Sequence, residues 1–210
     1  MKVFARTIAV IGVLIVVVIA LFVANVALGM RAHARFTGTV SGLGLRAPVQ
    51  IMRDNRGVPH IVAGNEHDLF FAQGYAEGSD RLFQMDLLRR FVDGRLAEIF
   101  GAKALSSDQT ERAVPVRTIV DRQWARLDAR SRDILGAFSD GVNAAMQREP
   151  LPVEFRILGY RPQPWSARDS LAVSMATVLD LIDDWNAIAP RDAAYRRGGL
   201  GLLARLYPLS

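Results

Sequence analysis

The stretch from Val49 to Gly101 reads VQIMRDNRGVPHIVAGNEHDLFFAQGYAEGSDRLFQMDLLRRFVDGRLAEIFG. Val49 and Ile51 on one side, Val58 and Ile61 on the other, flank Asp54-Asn55-Arg56-Gly57, whose Asp, Asn and Gly suit a tight turn. That order predicts a β-hairpin. Asn65 then stands where a helix N-cap belongs, with Asp68 three residues on as a weaker form of the reciprocal capping box. From about Glu66 to Asp93, Leu69, Ala72, Ala76, Leu82, Phe83, Met85, Leu87 and Phe91 fall on one broad apolar face, which predicts a long helix. Gly74 and Gly78 lie inside it. A glycine costs about 1 kcal/mol in a helix interior, so close packing against another backbone is expected there.

Upstream, Lys2 and Arg6 precede an uncharged run from Thr7 to Met30, and Arg31 closes it. A helix of that length crosses a hydrocarbon core of roughly 30 Å. Residues 1–30 are therefore read as a membrane anchor, or as a signal peptide removed after Ala32-His33-Ala34. Either reading exports the remainder to a periplasmic or extracellular face. Residues 31–47, with Gly38, Gly42 and Gly44, read as a linker, and residues 48–210 as the folded region.

Downstream, Ile134, Leu135, Phe138, Val142, Ala145 and Met146 recur at helical spacing between Ser131 and Arg148. Pro162 and Pro164 keep the loop carrying Tyr160 and Trp165 extended, since each disfavours helix in the residue before it. Ser166 is placed to cap the next helix, and Asp169 to stabilise its first turn. The exported part is thus mostly helical with one hairpin. A lone two-stranded hairpin is marginal in water, so a sheet supplied from elsewhere is expected to receive it.

The formal net charge is +5, but the basic residues are spread among acids with no basic run, which argues against nucleic acid as a partner. With no cysteine, disulfides, thiolate metal sites and a cysteine nucleophile are excluded. There is no HExxH, no GxSxG elbow and no phosphate-binding glycine loop. His60 is expected to be structural and His67 to be solvated. No catalytic residue is assigned within the chain. The cluster Asp80-Arg81, Asp86, Arg89-Arg90, Asp93, Arg95 and Glu98 reads first as side-by-side ion pairing, with Asp86 and Arg90 one helical turn apart.

Three blocks in order, RDNRGVPHI (Arg53–Ile61), GYAEGSDRLFQMDLLRR (Gly74–Arg90) and GRLAEIFG (Gly94–Gly101), resemble the amino-terminal part of the penicillin acylase family, and Leu151–Asp180 follows the same family order. The resemblance implies an α+β fold: a mostly helical portion of an αββα N-terminal-nucleophile hydrolase sandwich, here preceded by a transmembrane or signal helix. It implies a self-processing precursor that hydrolyses linear amides joining an acyl group to an amine. The attacking serine would open a catalytic β-chain-like segment that follows, so this chain is expected to be the α-chain-like part. β-Lactams and acyl-homoserine lactones are both candidate substrates. Asp80-Arg81 and Arg89-Arg90 would help fix the interface with the catalytic segment.

The resemblance also implies that the helix after the aromatic–proline loop touches the acyl group. Val178, Leu181 and Ile182 recur there at i, i+3 and i+4, giving an apolar stripe whose other reading is core packing. If they line the pocket, the favoured acyl group is apolar. Many family members place a calcium-binding glutamate where this chain has Ile188, which offers a hard cation no oxygen. Asp183, Asp184 or Asp192 are the candidate substitutes. Pro190 is expected to interrupt the helix that follows Trp185. The alternative to an enzyme is a non-enzymatic truncated remnant or binding module without a nucleophile; a membrane-bound scaffold for an unrelated partner is a third reading.

Overall fold

The computed structural model describes residues 2–31, 37–181 and 185–207. Helix α1 (Lys2–Arg31) contains a segment, Ile11–Gly29, long and apolar enough to cross a membrane. Its side chains from Ile11 to Val23 are exposed.

Strands β1 (Gln50–Arg53) and β2 (Pro59–Val62) pair antiparallel, with Ile51 opposite Ile61 and Met52 opposite His60. Asp54 builds the turn. Its Oδ1 accepts from the backbone N–H groups of Arg56 and Val58, both at 2.9 Å, while Gly57 takes the φ of 81° that the turn requires. Both faces of this ribbon carry exposed apolar side chains, Ile51 and Met52 on β1 and Val62 on β2.

Helix α2 (Glu66–Val92) starts as anticipated, with Asn65 Oδ1 accepting from Asp68 N at 2.9 Å. The reciprocal half of the box differs. Asp68 does not reach back to the Asn65 backbone; it accepts from Arg46 N at 2.9 Å and Ala47 N at 2.8 Å. The segment before the hairpin is thereby pinned to the start of α2. Helical geometry lapses once in α2, at Arg81 (φ −137°, ψ 22°).

Helices α3 (Ala97–Phe100), α4 (Leu105–Arg112) and α5 (Val116–Arg126), with a 3-10 turn at Gly101–Ala104, lead to α6 (Ala129–Arg148). A Cβ built on Gly74 would lie 2.0 Å from Phe138 O, and one on Gly78 3.1 Å from Val142 Cα. Glu66 meets Arg130 at 2.6 Å. These contacts advance together along both helices, so α2 and α6 run parallel, which explains why a long connection separates them. Gly141 returns the contact, since its Cβ would meet Phe71 O at 1.9 Å. The glycines are where two helix backbones touch.

Helix α7 (Val153–Ile157) inserts Phe155 beside Leu82, Val142 and Trp165 in one core cluster. Helix α8 (Ala167–Leu181) joins Val92, Val116 and Val120 in a second through Ala172. Burying an aliphatic or phenylalanine side chain of this kind stabilises by roughly 1.5–3 kcal/mol. Helix α9 (Trp185–Leu206) runs through Pro190 without interruption and instead breaks at Gly198 and Gly199 (φ 63°). The expectation of a stop at Pro190 is corrected: proline forfeits one backbone bond to the preceding turn, whereas the glycine's positive φ redirects the chain outright.

Candidate functional site

The loop before α8 is held from both sides. Asn143 brackets Trp165, accepting from its backbone N–H at 2.8 Å and donating to its carbonyl at 2.9 Å. Trp165 Nε1 donates to Ser170 Oγ at 2.9 Å. Ser166 and Asp169 cap one another: Asp169 Oδ2 accepts from Ser166 N at 2.8 Å, and Asp169 N donates to Ser166 Oγ at 3.3 Å. From α2, Arg89 donates to the carbonyls of Pro164 and Gln163 at 2.9 and 3.0 Å and lies 5.3 Å from the Trp165 ring centroid.

Beneath the loop lies a buried charge network. Asp86, 1% exposed, accepts from Arg89, from Arg90 Nε at 2.9 Å and from the Tyr160 hydroxyl at 2.9 Å. Arg117 on α5 links Asp93 at 2.6 Å with Asp169 at 2.7 Å, and Arg90 reaches Glu98 at 2.6 Å. Burial raises the Asp86 carboxyl, but hydrogen bonds from Arg90, Arg89 and Tyr160 outweigh it and hold the group below the usual carboxylate range. Burial and the neighbouring Asp86 push the Tyr160 phenol up. Among the described residues no buried side-chain nitrogen or oxygen lacks a partner.

The pairing of Asp86 with Arg90 matches the sequence expectation. The interface role expected of Arg89 and Arg90 does not, because both are buried inside this chain. Asp80 binds Arg53 through two bonds of 2.8 and 2.9 Å, while Arg81 is exposed. The His60 side chain is largely exposed on β2, 3.7 Å from Asp54. His67 is not solvated as expected: its ring packs 3.3 Å from the fully buried Asp68.

This scaffold carries the stripe on α8. Val178 is 53% exposed and Leu181 80% exposed, so neither packs in the core of this chain. Ile182, like Asp183 and Asp184, lies outside the described residues. A separate cleft of about 430 Å³ opens between residues 37–45, β1 and α2, lined by Ile51, Arg53, Phe71, Tyr75, Ser79 and Glu149; neither Val178 nor Leu181 borders it. Within it the Tyr75 hydroxyl donates to Glu149 at 2.6 Å.

Ile188 is half-exposed and apolar, and Asp192 is engaged with Arg196 at 2.8 Å. Among the described residues no group of three or more His, Asp or Glu is placed to hold a metal ion. Of the other two candidate ligands, Asp183 and Asp184 both lie outside the described residues. Sequence reading missed Arg117 as the link between α5 and α8, and Asp108, which accepts from Leu96 N and Ala97 N at 2.8 Å each. Neither has a local signature, because the partners lie far apart in the chain.

The penicillin amidase family profile matches residues 48–209. Penicillin acylase 2 proenzyme of Pseudomonas sp. (strain SE83) is 42% identical over 138 residues, covering 65% of this chain and 18% of its own length. Acyl-homoserine lactone acylase QuiP of Pseudomonas aeruginosa is 39% identical over 132 residues, 62% of this chain and 16% of its own. The chain therefore spans under a fifth of the length of these relatives. A solved thermostable penicillin G acylase from Alcaligenes faecalis superposes with a TM-score of 0.65 at 29% identity, over 78% of this chain and 92% of the matched chain.

Proposed function

Because this chain belongs to the penicillin amidase family, we propose that it is the α-chain-like part of an amide hydrolase acting on linear acyl amides. The carrying observation is the pair of coverages: 18% of a proenzyme's length but 92% of one chain in a solved penicillin G acylase. The exposed apolar faces of the hairpin and of α8 support the same reading, since a larger assembly would bury them. In it, β1 and β2 join the sheet of an αββα sandwich completed by a catalytic segment.

Catalysis then divides between the parts. A self-processed precursor leaves a serine at the start of the catalytic segment. Its hydroxyl attacks the amide carbonyl, and its own α-amine, which titrates near pH 7.7–8.0 in unperturbed form, takes the proton. An oxyanion hole on the catalytic segment stabilises the tetrahedral intermediate. The present chain contributes a wall: Val178, Leu181 and Ile182 on a helix whose start is fixed by Trp165, Ser166 and Asp169, and an apolar acyl group suits them. Residues 1–30 hold the folded region, 48–210, at the periplasmic or outer face, with 31–47 between.

The test is hydrolysis of a chromogenic phenylacetyl amide by the chain alone and by the chain co-expressed with a catalytic segment from a relative. Turnover only in the second case is expected, together with a new amino-terminal serine found by mass spectrometry. Turnover by the isolated chain would place the nucleophile within it. Assembly without turnover would favour a non-catalytic binding module.

A further inference from the structure

Helix α7 is short, and its two sides differ. Phe155 turns inward, edge-on to Phe83 and Tyr160 with ring centroids 5.4 and 5.1 Å away. Val153, Arg156 and Ile157 share the other side, at i, i+3 and i+4. That side meets the last turns of α1. Arg156 Nη1 donates to Asn25 Oδ1 at 3.0 Å. A Cβ built on Gly29 would lie 2.9 Å from Arg156 Cδ and 3.2 Å from Val153 Cγ2.

Between Ile11 and Gly29, Asn25 is the only side chain with hydrogen-bonding groups. Asn25 and Gly29 are one turn apart and both face α7. At 1.5 Å per residue, Asn25 lies about 6 Å inside the end of the apolar run. Arg156 thus meets α1 about one turn from the end of the apolar run, close enough to the boundary for a long basic side chain to keep its charge among headgroups. Beside it Ile157 is 49% exposed although it is apolar.

We propose that α7 is a membrane-interface element: its Val153–Arg156–Ile157 side rests in the headgroup layer of a phospholipid bilayer, Arg156 at the lipid phosphates and Ile157 at the acyl boundary. The proposal rests on α1 being a retained span. It is continuous with that span, because the same side of α7 is already packed on α1. The domain is then seated on the bilayer at a fixed tilt.

The absence of cysteine allows single-cysteine variants of the full chain to carry one fluorophore each. Val17→Cys, Ile157→Cys and Leu105→Cys are labelled and reconstituted in phosphatidylcholine–phosphatidylglycerol vesicles with brominated acyl chains. Quenching at Ile157 is expected close to that at Val17 and several-fold above that at Leu105 on α4. Adding Arg156→Glu should lower it at Ile157 and leave Val17 unchanged. Quenching at Val17 with Ile157 no higher than Leu105 would overturn the proposal and leave the anchor standing. No quenching at Val17 would remove the anchor, and the proposal with it.

Discussion

The Tyr160 hydroxyl donates to Asp86 Oδ2 at 2.9 Å across 74 residues of sequence, fastening the aromatic–proline loop to α2 at a buried carboxylate. The same carboxylate receives two guanidinium groups, and Arg90 also lies 4.8 Å from the Tyr160 ring centroid. The two residues therefore set the stability of the region from which α8 departs.

Replacing Tyr160 by Phe removes one hydrogen bond to a charged group and should cost about 1.5–3 kcal/mol. Asp86→Ala leaves Arg89 and Arg90 without their shared partner and should cost more, about 3–5 kcal/mol. Urea unfolding of the detergent-solubilised chain measures both. An Asp86→Ala variant no less stable than Tyr160→Phe would mean that the arginines find water or other acceptors.

Two glycines of neighbouring helices should respond with opposite signs. A Cβ at Gly74 would lie 2.0 Å from Phe138 O, so Gly74→Ala must force α2 and α6 apart, at about 1–3 kcal/mol for overpacking. Nothing lies within 4 Å of a Cβ at Gly136 on α6, so Gly136→Ala should gain up to roughly 1 kcal/mol from helix propensity alone. Thermal unfolding of the two variants provides the comparison, and equal shifts would contradict the close contact.

Acid should release the segment ahead of the hairpin. Burial raises the Asp68 carboxyl, but the Arg46 N–H, the Asn65 and His67 side chains and the Ala47 N–H outweigh it and hold it at about 2, below the ordinary 3.8. A depressed carboxyl stabilises fully above its unfolded value and loses that contribution as pH falls towards the folded one. Amide protection at Arg46 and Ala47 should therefore collapse between about pH 4 and 2, and Asp68→Asn should abolish the step. Protection that survives to lower pH would show that the amides have another acceptor.

Leu181→Asp tests the wall assigned to α8. At 80% exposure it should change the stability of this chain by no more than about 0.5 kcal/mol. If the chain assembles into the proposed hydrolase, the substitution should raise KM for apolar acyl amides, with a smaller effect on kcat. Unchanged KM would remove Leu181 from the acyl pocket.

Local chemistry was legible in the sequence. The hairpin turn at Asp54–Gly57, the Asn65 cap, the close approach at Gly74 and Gly78 and the Ser166–Asp169 cap all involve residues whose types declare their conformational use within a few positions. What was not legible joins distant positions. Asp68 was visible as a first-turn acid, but its partners Arg46 and Ala47 lie upstream of the hairpin. Arg117 reaches an aspartate 52 residues away. Periodicity placed Val178 and Leu181 on one stripe, yet only the packing around α8 distinguishes an inward stripe from an outward one. The burial of Arg89 and Arg90 was hidden for the same reason, since charge pattern alone resembles a solvated face.

Asp68 also decides where mechanical load would enter the molecule. Tension applied along residues 37–45 would arrive at Arg46 and Ala47, whose amides are both held by that one carboxylate. The pull is delivered to the end of α2, and through it to the α2–α6 pair, before it reaches β1 at Gln50. The strand ladder is strain-relieved, as a cable is by the clamp ahead of its terminals.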